Sequence, residues 1–77
     1  MNKARRKWLE NVITALEQAK EEIESINSEE EDAYNNLPDN LNDSKMANAM
    51  YENMDSLSSA ADDLQSVMDQ LLEVIER

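Results

Sequence analysis

With 77 residues, no Cys, no His, no Gly and a single Pro, the chain has no thiolate, no disulfide and neither the commonest metal ligand nor the commonest general acid–base. The net charge of −11 is unevenly spread: residues 1–20 carry Lys3, Arg5, Arg6, Lys7 and Lys20 against Glu10 and Glu17, net +3, whereas residues 21–77 carry two cations against sixteen acids, net −14. Such an acidic body disfavours direct nucleic-acid binding, and a chain this short is marginal as one domain unless a partner subunit helps it.

The first predicted element is a helix over about 2–33. Leu9, Val12, Leu16, Ala19, Ile23 and Ile26 recur at alternating spacings of three and four, the pattern of a heptad seam. The pattern runs on to Glu30 and Ala33, where it weakens, and Trp8 and Ile13 flank it. Glu, Ala, Leu, Lys and Gln, good helix formers, fill the rest. The basic start MNKARRK has the look of a secretion signal, but Glu10 and Asn11 interrupt the apolar stretch such a signal needs. No apolar run approaches the roughly 20 residues of a membrane span. The expected setting is therefore the cytoplasm, with no membrane partner.

Residues 34–42 read as the connection. Asn35, Asn36, Asn40 and Asp39 compete with helix through side-chain bonds to the backbone, and Pro38 pushes Leu37 away from helical angles. Leu37 and Leu41 are expected to close the end of the apolar core.

The second helix is predicted over about 43–76, with Asn42 as its N-cap, Asp43 in its first turn, and Leu41 and Met46 at the spacing of a hydrophobic staple. Met50, Leu57, Leu64 and Leu71 repeat every seven residues. Met46, Ala60, Val67 and Val74 form a second row, which Asn53 interrupts, and Ala47, Met54, Ala61, Met68 and Ile75 form a third. Three rows make a stripe wider than one partner helix covers. The fold class is therefore all-α: residues 1–77 as one antiparallel helical hairpin, each helix about 48 Å long, self-associating into a dimeric four-helix bundle or a higher oligomer. The oligomer core is predicted to comprise Leu9, Val12, Leu16, Ile23, Ile26, Met50, Met54, Leu57, Leu64, Val67, Met68, Leu71, Val74 and Ile75.

Charge at the ends of the first helix carries the functional reading. Lys3, Arg5, Arg6 and Lys7 open it and Glu29, Glu30, Glu31 and Asp32 close it, both against the preference of the helix dipole. Three readings are open. The ends are solvated; or each cluster faces the other on a second, antiparallel subunit; or the basic end holds an anionic, nucleotide-like ligand, with Trp8 as a stacking surface and Tyr34 of a neighbour approaching. Paired acids such as Glu29 and Asp32 are similar to those of all-α nucleotide pyrophosphatases, which hold magnesium. Asp55, Asp62, Asp63 and Asp69, however, fall outside the apolar stripe. No metal, no cofactor and no catalytic residue are expected, since no nucleophile–base pair can be built.

Four segments, KARRKW, EEEDAY, YNNLPDNLNDS and DSLSSAADDLQSVMDQLLEVI, carry a resemblance to short acidic all-helical accessory proteins of phages and prophages of Gram-positive bacteria. The most specific part is the Tyr-x-Asn-Leu-Pro-x-x-Leu-x-x-Ser loop from Tyr34 to Ser44. Members of that group mostly have no assigned function. The resemblance implies a phage accessory protein in a bacterial host cytoplasm, not a mechanism, and it assigns no functional residue; without catalytic groups such a protein is expected to act on host defence or host metabolism by occupying a target. Two forms of that role fit the charges: sequestering a nucleotide-like ligand at the basic end, or covering a host nucleic-acid-binding protein with an acidic, DNA-like body. A third possibility is a purely structural coiled-coil assembly protein.

Overall fold

A computed structural model describes all 77 residues. Helix α1 spans Lys3–Asn35 and helix α2 spans Lys45–Glu76; a 3-10 turn, Asp39–Leu41, lies between them. There are no strands, and α1 and α2 pack against each other as an antiparallel hairpin. The molecule measures 60 × 14 × 13 Å, with a radius of gyration of 17.5 Å, against about 11–12 Å for a compact domain of this length. It is a rod, one helix pair thick.

Both helices start on side-chain caps. Asn2 Oδ1 accepts from the Arg5 amide at 2.8 Å. Ser44 Oγ accepts from the Ala47 amide at 3.1 Å and donates to the Leu41 carbonyl at 2.7 Å. The N-cap of α2 is therefore Ser44, not Asn42. Asn42 is instead consumed by the 3-10 turn, its amide donating to the Asp39 carbonyl. This correction moves the connection from 34–42 to 36–44, takes Asp43 out of the helix, and removes the staple expected between Leu41 and Met46. At the end of α1, Asn36 is the C-cap: its amide and its Nδ2 both donate to the Asp32 carbonyl. No residue has positive φ, so the chain reverses without the left-handed position that most helix ends use.

The seam between the helices differs from the expected one on α1. The half-buried residues of α1 run Leu9, Ile13, Leu16, Lys20, Ile23, Asn27, Glu30 and Tyr34, with Ala19 beside them. Val12 and Ile26, predicted for the oligomer core, are exposed in the single hairpin and lie outside its seam, as does Trp8, 70% exposed. Ile13, predicted as a flank, lies in the seam. On α2 the rows facing α1 are Ala47, Met54, Ala61, Met68 and Ile75, with Met50, Leu57, Leu64 and Leu71; Val67, predicted for the oligomer core, is exposed in the single hairpin.

The physical reason for the shift is that α2 offers partners to the polar members of the α1 seam. Lys20 Nζ donates to Gln65 Oε1 at 3.1 Å and stands 3.8 Å from Glu24 Oε1. Its aliphatic stem covers apolar surface while its charge reaches solvent. Glu30 Oε2 accepts from Asn53 Nδ2 at 2.8 Å. Tyr34 packs on Tyr51, ring centroids 6.3 Å apart. Asn27 Oδ1 alone is buried with no partner. Polar residues at such positions cost stability and fix register. The three matched pairs set the axial alignment and place Glu76 level with Trp8.

Only Ala47, Ala61 and Met68 are buried. The accessible surface is 5910 Å² for 8.8 kDa, where a compact monomer of that mass exposes about 4,800 Å².

Candidate binding surfaces

The helical screw sorts the remaining residues onto two flanks. The residue preceding each member of one seam row falls on the same side in both helices, because the helices share a hand and run in opposite directions. That side carries Val12, Ala19, Ile26 and Ala33 from α1, and Met46, Asn53, Ala60, Val67 and Val74 from α2. Ile26 is 53% and Met46 58% exposed. The opposite flank carries Glu10, Glu17, Glu24 and Glu31 from α1, all exposed, and Tyr51, Ser58, Gln65 and Leu72 from α2. One long side of the rod is thus mainly apolar; the other carries a row of acids on α1 beside an uncharged α2 row that includes the exposed Tyr51 and Leu72.

The basic end does not form one site. Lys3, Arg6, Lys7 and Glu10 line one shallow depression. Arg5 and Trp8 lie on a different side, where they line an open hollow with Met1, Leu9 and Val12. That hollow holds about 260 Å³, below the roughly 300–1,000 Å³ of small-molecule sites. It opens beside Val12, at the end of the apolar flank. Within one chain Tyr34 stands apart from it, 26 residues or about 39 Å farther along α1, and packs on Tyr51.

Of the predicted core residues, Leu9, Leu16, Ile23, Met50, Met54, Leu57, Leu64, Met68, Leu71, Val74 and Ile75 are half-buried or buried in the single hairpin. No group of three or more acidic side chains stands close enough to hold a metal ion, and no helix is long and apolar enough to cross a membrane. Sequence reasoning missed the role of Lys20, Asn27 and Gln65 in the seam. The signal was present: Ile13, Lys20, Asn27 and Tyr34 are themselves spaced by seven, but two of the four are polar.

The fold defines the chain as an all-α helical hairpin with one long uncovered apolar flank. Compared with protein-family models, curated proteins and solved structures, it shows no significant match to any of them.

Proposed function

We propose that the chain is a non-catalytic binding protein that works as a self-associated helical bundle, occupying a target as a phage accessory protein of this size would. The observation that carries this reading is the apolar flank. Val12, Ile26, Met46 and Val67 stand exposed along one side of a rod that buries only three residues. The excess surface of about 1,100 Å² over a compact monomer is similar to the roughly 800 Å² that each partner contributes to a standard interface. Pairing two hairpins through that flank gives the four-helix bundle and places the acidic flanks outward, toward a target. Ile26→Asp tests the reading. It adds a charge to an exposed apolar position, so helix content should persist while the sedimenting mass falls to that of one chain. An unchanged mass would count against the flank as the assembly surface.

A second reading rests on the hollow at the basic end. Trp8 presents an open aromatic face with Arg5 beside it, the elements of a stacking and phosphate-binding pair. A nucleotide-like anion held there would raise the melting temperature by mass action. Trp8→Ala and Arg5→Ala would abolish that rise. No shift across a panel of linear and cyclic nucleotides would remove this reading and leave the first in place.

A further inference from the structure

We infer that the second copy docks end for end, so that the α1 helices of the two subunits run antiparallel across the apolar flank and the basic start of each meets the acidic end of the other. This rests on the self-association proposed above and fixes its geometry.

Three features of the flank centre within about two residues of one another, near residue 18 of α1. On α1, the apolar row runs from Val12 to Ile26 with Ala19 midway. The charged residues outside it, Arg5 and Glu29, lie on the same side of the helix and centre on residue 17. On α2, the members of the row that lie level with that stretch of α1, Ala60, Val67 and Val74, centre on Val67; Met46, at the other end of the row, lies beyond the overlap of the two copies. The pairs Lys20–Gln65, Glu30–Asn53 and Tyr34–Tyr51 put Val67 at the level of residues 16–18 of α1. A two-fold interface must be self-complementary: where residue i meets j, j meets i. One two-fold axis crossing the flank near residue 18 of α1, perpendicular to the helices, brings all three features close to register. Placed near residue 18, it sets Val12 within one helical turn of Ile26 of the second copy, Ala60 on Val74, and Arg5 within one turn of Glu29. It also brings Trp8, 70% exposed in the single hairpin, over the row holding Ile26 and Ala33. Ala19 sits at the crossing, where a small side chain lets two helices approach closely.

The other two-fold arrangement, with the axis along the rod, keeps both basic ends together and both acidic ends together. It sets each α1 against the partner's α2 and leaves Arg5 without an opposite charge. Like charges gathered at both ends of a bundle disfavour that arrangement, and opposite charges at both ends favour the first.

The chain has no Cys, so Ala19→Cys introduces a single thiol at the inferred axis. Oxidation should convert the dimer to a disulfide-linked pair, because only the end-for-end arrangement brings the two residues within the 4.4–6.8 Å between Cα atoms that a disulfide needs. A dimer by sedimentation that resists this cross-link would overturn the orientation and leave self-association standing. A monomer would overturn the self-association on which the orientation rests. Charge exchange gives an independent reading should the thiol disturb packing. Arg5→Glu should weaken the dimer roughly three- to tenfold, since two symmetry-related pairs turn repulsive, and Glu29→Arg on the same chain should restore it. Weakening without restoration would also overturn the orientation.

Discussion

Asn53 and Glu30 hold the two helices in register: the Asn53 amide donates to the Glu30 carboxylate at 2.8 Å, from one helix to the other. The bond lets a charged residue occupy the seam where an apolar one would be usual. One helical turn away from Glu30, Asn27 has no such answer, its Oδ1 buried without a partner.

The contrast between the two asparagines is measurable. Asn27→Leu removes an unanswered buried oxygen and adds apolar cover, so it should raise stability by about 1–2 kcal/mol. Asn53→Ala breaks a bond that lies at the surface and should cost about 0.5–1 kcal/mol. Urea denaturation followed by circular dichroism reads both. A loss of stability in Asn27→Leu would mean that an ordered water or a second chain satisfies that oxygen.

Adjacent residues on α1 should fail in different ways. Ile13 lies in the seam and Val12 on the open flank. Ile13→Asp should destabilise the hairpin by about 2–3 kcal/mol and lower its helix content, because the charge enters the seam. Val12→Asp should keep the helices and reduce association. Thermal melts paired with size-exclusion chromatography separate the outcomes. Equal loss of helix in both would place the seam on the wrong face.

Capping gives a local test. Ser44→Ala removes the oxygen that accepts from the Ala47 amide and should cost about 1 kcal/mol. Asn42→Ala, two residues earlier and outside α2, should change the denaturation midpoint little. The reverse order would put the cap back at Asn42.

Two long helices and one connection were legible because the apolar rows recur with helical spacing and only residues 34–44 gather Pro and Asn. The cap was misplaced because Asn42 and Ser44 are both good N-caps; the choice depended on a 3-10 turn that hydrogen bonds of Pro38, Asp39 and Leu41 close. The α1 seam was ambiguous for a stronger reason. Leu9, Leu16, Ile23 and Glu30 belong equally to two registers that differ by one residue in the second row. Apolarity alone favoured Val12, Ala19 and Ile26. The structure uses Ile13, Lys20, Asn27 and Tyr34 because α2 presents Gln65 and Tyr51 to them, which only tertiary pairing reveals. At the basic end, the cluster was visible in the chain, but its division onto two sides was not, since it depends on where the seam falls.

Trp8, the single tryptophan, reports on the assembled state. In one hairpin its ring is largely exposed, and in the end-for-end dimer it is covered. Its emission should therefore move to shorter wavelength as protein concentration rises, with a midpoint equal to the dimer dissociation constant. Emission that stays that of a solvated indole while the mass doubles would place the interface away from Trp8.

The most direct test of the account is sedimentation equilibrium of the unmodified chain at micromolar concentration. On the proposed pairing through Val12, Ile26 and Val67, the mass should be twice the 8.8 kDa of one chain, falling toward one chain on dilution. A fully helical species that stays at 8.8 kDa throughout that range would contradict the account.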